Sequence, residues 1–157
     1  MEKNESMRKF ILSLCIIIFD QLSKNWVERN ILFGDYLEIN NFFKIVHFQN
    51  TGAAFSILDG ASGWQNNFFI VLTISILIYL AYLYKQNRSS SYGTISITLI
   101  ISGAFGNLID RFNNGHVTDF IYFHINDYYW PAFNIADSAI TIGAIIYFLG
   151  LLKGKIN

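Results

Sequence analysis

Four aspartates, Asp20, Asp110, Asp119 and Asp137, are the residues of this chain with the most chemical potential. The residue sets for metal and serine hydrolysis are incomplete. HExxH is absent, and no His/Cys cluster suggests zinc. His47, His116 and His124 are scattered and are expected at surface or interfacial positions. Gly60-Ala61-Ser62-Gly63-Trp64 lacks the final glycine of GxSxG and has no histidine nearby, which leaves a serine nucleophile without a base. Two carboxylates that share a proton, by contrast, can hydrolyse a peptide bond with no metal and no covalent intermediate. The ionised one takes a proton from water while the protonated one polarises the scissile carbonyl. Close approach in a low dielectric prevents both from ionising at once. The resulting pKa values belong to the pair.

The spacing of the polar residues says what must position them. Asn134, Asp137, Ser138 and Thr141 fall at i, i+3, i+4 and i+7, one face of a helix in otherwise apolar sequence. Gly103, Gly106, Asn107 and Asp110 repeat that spacing, with Arg111 next, and Asp20, Ser23 and Lys24 make a shorter stripe. A charge inside a membrane span costs about 2.5–3.5 kcal/mol on insertion scales and so asks for a functional reason. Three helices turning such edges inward would enclose a polar pocket that lipid cannot reach, and small residues such as Ser102 and Gly106 would let them pack closely. Asp119, in the strand-like Val117-Thr118-Asp119-Phe120, is able to fold onto the mouth of that pocket. Asp137, five residues into its apolar stretch, is expected roughly 7 Å down the helix at 1.5 Å per residue. On spacing alone, an ion pair between stripes or a proton relay accounts for Asp137 as well as a dyad does.

The helices themselves follow from composition. Of 157 residues, 53% are hydrophobic and 14% charged, against roughly 25% charged in a soluble domain. Lys plus Arg balances Asp plus Glu at eleven each, so net charge points to no nucleic-acid partner. About 20 mostly apolar residues cross a bilayer. Such stretches predict four transmembrane helices, at about 10–28, 67–84, 93–110 and 132–152, in a single domain over residues 1–157. Lys3, Arg8, Lys9, Lys85, Arg88, Lys153 and Lys155 flank one side, against Arg29, Lys44 and Arg111 on the other. The positive-inside rule then places both termini in the cytoplasm and the loops at about 29–66 and 111–131 outside. Tyr36–Ile39, Phe42–Phe48 and His116–Phe123 have strand-favouring residues, with Asn40-Asn41 as a turn. The expected architecture is an all-α membrane protein of four helices with a small β-sheet on its outer face. No small-x-small cleavage site follows Phe19, so the first stretch reads as a span rather than a signal peptide. Cys15, alone and flanked by apolar residues, is expected to fill core.

Five motifs in order along the chain carry a family resemblance: Asp20-Gln21-x-x-Lys24, Asn50-x-Gly52-x-Ala54-Phe55, Gly106-Asn107-x-x-Asp110-Arg111, Gly115-x-Val117-x-Asp119-Phe120 and Phe133-Asn134-x-Ala136-Asp137. Together they resemble bacterial lipoprotein signal peptidase, also called signal peptidase II. Each motif is weak alone; five in register are specific.

The resemblance implies an aspartic endopeptidase that cuts prolipoproteins just before the diacylglyceryl-modified cysteine, with Asp119 and Asp137 as its catalytic aspartates. By the same mapping Asn50, Gly52, Asn107, Arg111 and Asn134 would bind substrate or orient the dyad. Arg111 and the amides have the donors to meet carbonyls that an extended peptide leaves unpaired in a membrane. Asp20 and Lys24, at i and i+4, read as a structural pair, and Asp110 as a positioning partner beside Arg111. No metal or other cofactor is implied. The expected partners are lipid-modified prolipoproteins and membrane lipids, the expected state a monomer, and the expected location the bacterial cytoplasmic (inner) membrane with the site near its outer surface. The rival is a proton-coupled transporter, which should offer carboxylates along a continuous path across the bilayer. Here they gather towards one end of their spans.

Overall fold

The structure is a computed structural model that describes residues 2–52 and 64–156. Helices α1 (Glu2–Asn30), α2 (Trp64–Gln86), α3 (Ser91–Asn114) and α4 (Ile135–Leu152) each include a segment long and apolar enough to cross a membrane. Between them lie strands β1 (Tyr36–Asn40), β2 (Phe43–Asn50), β3 (Val117–Ile125) and β4 (Tyr128–Tyr129), in one antiparallel sheet of order β1-β2-β3-β4.

Helix α3 is the centre of the bundle. Its membrane window is 61% buried, against 6% for α2, which leaves Val71, Ile78 and Tyr79 facing outward as a lipid-contacting helix should. The close packing of α3 on α4 and α1 depends on residues without a side chain. A Cβ at Gly103 would strike the carbonyl oxygen of Ala136, and one at Gly106 would lie 2.7 Å from Asp20 Oδ2. Helix α3 begins at Ser90, whose side chain accepts the Gly93 N–H, and ends at Gly115, whose left-handed φ of 76° turns the chain into β3.

The sheet sits at the end of the bundle where α1 and α3 finish and α2 and α4 begin. Its anchor is apolar: Val27 and Ile31, at the end of α1, and Phe120 of β3 form a buried cluster, with Ile45, Ile121 and Ile135 packed against it. Strands β2 and β3 pair Phe48 with Asp119 and Asn50 with Val117, while an extra residue in β2 between Ile45 and Phe48 makes a bulge. Bulges re-aim side chains, and this one lies beside His47 and Asp119.

Three expectations need correction. His47 is buried rather than superficial, its Nδ1 2.8 Å from the Ile31 carbonyl; the bulge turns it under the sheet. Cys15 is exposed, not core. Its apolar neighbours indicate a lipid-facing surface, where the inside-out rule of soluble proteins fails. Finally, the fourth helix starts at Ile135, not Ala132. Phe133 is extended and bridged to Ile121, and Asn134 is the helix cap. Asp137 therefore lies in the first turn, roughly 3 Å along the helix rather than 7 Å.

Candidate functional site

The site is built where β3 meets the start of α4. A helix begins with backbone N–H groups that lack partners, and here Asn134 and Asp137 satisfy them reciprocally. The Asn134 side chain accepts the Asp137 N–H at 2.8 Å, and Asp137 Oδ2 accepts the Asn134 N–H at 3.2 Å, a capping box. Because the cap uses only its oxygen, the Asn134 amide nitrogen is free to donate elsewhere. It donates to Asp119 Oδ1 at 2.7 Å. One fully buried asparagine thus holds both aspartates of the expected pair.

Further amides complete the arrangement. Asn50 donates to Asp119 Oδ2 at 3.0 Å, held in turn by its own Oδ1 accepting the Gly52 N–H at 3.1 Å. Asn107 donates to Asp137 Oδ1 at 2.8 Å. Arg111 donates to the Gly52 carbonyl at 3.2 Å and lies over the Phe69 ring, and its own backbone carbonyl accepts from Asn66 at 3.1 Å. Asn50, Gly52, Asn107, Arg111, Asp119 and Asp137 line one cavity of about 320 Å³. Trp130, Ile140 and Thr141 supply part of its remaining wall.

Electrostatics set this cavity apart. Asp119 is 4% exposed. Its burial first, and the neighbouring Asp137 carboxylate second, push its pKa up to about 7 from an ordinary 3.8, against the opposing bonds from Asn50 and Asn134. A carboxyl that keeps a proton near neutrality beside a second carboxyl can act as acid while its neighbour acts as base.

Asp20, Lys24 and Asp110 converge elsewhere. Lys24 Nζ lies 2.7 Å from Asp20 Oδ2 and 2.6 Å from Asp110 Oδ2, all three side chains being buried. Asp110 faces Lys24 and Gln21 instead of Arg111, which corrects the expected pairing. Adjacent residues on a helix point about 100° apart, so they cannot share a partner face. Gln21 belongs to this cluster as well, although sequence reasoning gives it no role. It donates to Asp110 Oδ1 at 2.7 Å and to the Gly106 carbonyl at 3.1 Å; its signals are its place in the Asp20-Gln21-x-x-Lys24 motif and an uncharged polar side chain inside an apolar span. Ala54 and Phe55 of the second motif and the Gly60–Gly63 segment lie outside the described residues. Among the described residues no group of three or more His, Cys, Asp or Glu side chains forms a metal-ligand set.

Proteins of similar sequence agree on one family. The sequence profile described as Signal peptidase (SPase) II matches residues 12–153. The chain is 42% identical over 142 residues to the lipoprotein signal peptidase of Paraburkholderia phytofirmans, covering 90% of this chain and 83% of that one. It is 39% identical over 142 residues to that of Janthinobacterium sp., covering 90% and 86%. Its fold is similar to a bacterial membrane enzyme solved by the in meso method at 2.3 Å, with a TM-score of 0.84 and 38% identity over 93% of this chain and 88% of that one.

Proposed function

The chain belongs to the signal peptidase II family, a bacterial family of multi-pass membrane proteases named for lipoprotein processing, and from that premise we propose that it is an aspartic endopeptidase with Asp119 and Asp137 as its catalytic pair. The observation that carries this reading is Asn134, which bonds both carboxylates at one cavity. Held this way, the pair shares a proton. The ionised carboxylate takes a proton from water as the water oxygen attacks the scissile carbonyl carbon. The protonated carboxyl gives its proton to the carbonyl oxygen, forming a gem-diol. Collapse of that species breaks the C–N bond: the carboxyl that took the water proton gives it to the leaving amine, and a gem-diol hydroxyl returns its proton to the other carboxylate, which leaves the pair with one proton again. Arg111 and the amide side chains of Asn50 and Asn107 present donors to the extended substrate backbone in the same cavity.

The substrate in this reading is a prolipoprotein carrying diacylglyceryl on the cysteine after the cut. The excess of basic residues on one side of the spans supports cytoplasmic termini, and with them a position for the sheet and Asp119 at the outer surface of the cytoplasmic membrane. A signal peptide's apolar segment entering between the helices can slide along the membrane normal. Acyl chains fix its depth, since each buried methylene contributes about 0.8 kcal/mol. Anchoring would bring the bond before the cysteine to the two aspartates and raise its effective concentration there. A proton-coupled transporter is not favoured: family membership points to a protease, and Asp20 and Asp110 are locked by Lys24.

The decisive experiment mixes purified protein in detergent with two precursors that differ only in the lipid on that cysteine, and reads cleavage by mass shift. The lipidated precursor is expected to be cut and the unmodified one to be ignored. No cleavage of either would remove the peptidase reading, and equal rates would remove the depth argument.

A further inference from the structure

Lys24 is a buried cation surrounded by three oxygen acceptors. Its ammonium group lies 2.7 Å from Asp20 Oδ2 and 2.6 Å from Asp110 Oδ2, and donates to Asn107 Oδ1 at 2.9 Å. Two carboxylates and one amide oxygen close in the ammonium group, and of the three it is the amide oxygen of Asn107 that takes its hydrogen bond. Lys24 is 2% exposed and Asp20 0%. An ion cluster this deep is a poor way merely to hold helices together, because well-packed apolar residues generally stabilise as well or better. What distinguishes it is the third acceptor.

An asparagine amide has one accepting and one donating end. Without other neighbours, either end of Asn107 could face Asp137. An ammonium cannot accept a hydrogen bond, so Lys24 requires the oxygen of Asn107 to point towards it. The NH₂ end then has to face Asp137, and it donates to Asp137 Oδ1 at 2.8 Å. The other Asp137 oxygen is held by the capping box. Asp20 braces the same turn, its Oδ1 accepting the N–H of Ala136, the residue before Asp137, at 2.9 Å.

We propose that Lys24 is a positioning residue for the reaction: it fixes the orientation of the Asn107 amide, which in turn orients the Asp137 carboxylate towards the cavity. Lys24 itself touches neither substrate nor the reacting atoms. This inference rests on Asp137 being catalytic and goes beyond the structural pairing of Lys24 with Asp20.

The test is a mutant cycle in an Asp110→Asn background, because Lys24→Gln alone leaves two facing carboxylates without their cation. Together the two changes keep the cluster at a net charge of −1, the value that one lysine and two aspartates give in the native chain. Four proteins are compared on the lipidated precursor: D110N, K24Q/D110N, D110N/N107A and K24Q/D110N/N107A. Each kcat is referred to the monodisperse fraction on size exclusion. K24Q is expected to lower kcat about 10²-fold, the scale of a misplaced catalytic group, with KM nearly unchanged. In the N107A background it is expected to add almost nothing, since the amide it orients is gone. Losses that multiply across the cycle, or a K24Q/D110N protein with the kcat of D110N, would overturn the proposal. Lys24→Arg is the second variant if K24Q/D110N does not fold: a guanidinium also only donates, so it is expected to keep most of kcat, and a folded Lys24→Arg protein that loses kcat equally with and without Asn107→Ala would overturn the proposal. Failure of the native protein to cleave the precursor would strike the peptidase reading instead.

Discussion

The bundle holds two pairs of carboxylates with opposite surroundings. Asp20 and Asp110 face an ammonium at 2.6–2.7 Å in a region closed to solvent. Asp119 and Asp137 accept from Asn50, Asn107 and Asn134, all neutral amides, and line an open cavity. An ammonium at contact distance ties a carboxylate to a single fixed partner. An amide orients a carboxylate but leaves its charge to be settled by burial and by the neighbouring carboxylate. The same residue type is therefore tied into an ion cluster in one pair and, in the proposed reading, left free to react in the other. The difference lies in the partner rather than in depth: Asp119 and Asp110 are equally buried, at 4% exposed.

The largest effect that separates the pairs is on turnover. Asp119→Asn and Asp137→Asn should each lower cleavage by at least the roughly 10²–10⁴-fold attributed to positioned acid–base groups, while leaving a folded, membrane-inserted protein. Stability should respond in the other direction at Asp119. Its folded pKa of about 7 lies above the ordinary 3.8, so the folded state binds the extra proton, and stability declines as pH rises between those values. Above pH 7 the full penalty is present, and Asp119→Asn removes it. The variant should melt no lower than the native protein at pH 8 in the same detergent. Residual near-native turnover in either variant would take that residue out of the catalytic pair.

Next in size is the opposite result at the closed pair. Lys24→Met removes the cation and leaves Asp20 and Asp110 buried and facing each other. Removing one partner of a buried ion pair typically costs about 3–5 kcal/mol, so this variant should melt far lower or fail to insert. A Lys24→Met protein as stable as the native one would mean that the cluster is neutral without its lysine and that the contrast between the pairs is wrong.

How far the sequence discloses all this differs by element. Four apolar stretches and alternating strand residues such as Phe43-Lys44-Ile45 are readable because lipid and half-buried sheets impose simple periodicities. The stripe positions Asn107, Asp110 and Asp137 are readable for the same reason: polar residues in a span stand out. Asn134 is not readable as a cap, because the apolar pattern runs unbroken through Phe133 and does not register that this residue bridges to Ile121. The direction of Asp110 is lost when sequence adjacency to Arg111 is treated as spatial adjacency. Cys15 misleads because apolar flanks mean core in water and lipid contact in a bilayer. Periodicity tells which residues face inward; partner choice requires the geometry.

A smaller effect sharpens the role of the amides. At a pKa of about 7, Asp119 supplies the shared proton only up to neutrality; above it both carboxylates ionise and the acid is lost. The pH profile of kcat/KM, which reports the free enzyme, should therefore fall on its alkaline side near pH 7. Asn50 bonds Asp119 in a way that favours the ionised form. Asn50→Ala removes that bias, so the alkaline limb should move to higher pH. Loss of one hydrogen bond of about 1 kcal/mol should also slow turnover roughly fivefold. A limb that stays in place or moves to lower pH would show that Asn50 does not govern the proton on Asp119.

The smallest expected effect is at Cys15, where the contrast between inward and outward faces predicts no effect at all. The residue lies on α1, the helix that also carries Asp20 and Lys24, but on a face exposed outside the bundle. Ser13, two residues earlier and on another face, accepts a hydrogen bond from Ser102 of α3 at 2.9 Å, so the inward side of α1 is identified by contact. A side chain surrounded by acyl chains loses little on truncation, because lipid fills the space that a rigid core would leave as a cavity. Nor does any step of the proposed hydrolysis use a thiol. Cys15→Ala should therefore stay within about 0.5 kcal/mol in thermal stability, the ordinary range for surface substitutions, and within twofold in turnover. The measurement is a melting curve and a cleavage rate, each in detergent and again in reconstituted bilayers. A loss confined to the bilayer would mean that this face packs against another protein chain rather than lipid. A loss in both would mean that Cys15 packs against the bundle rather than facing outward.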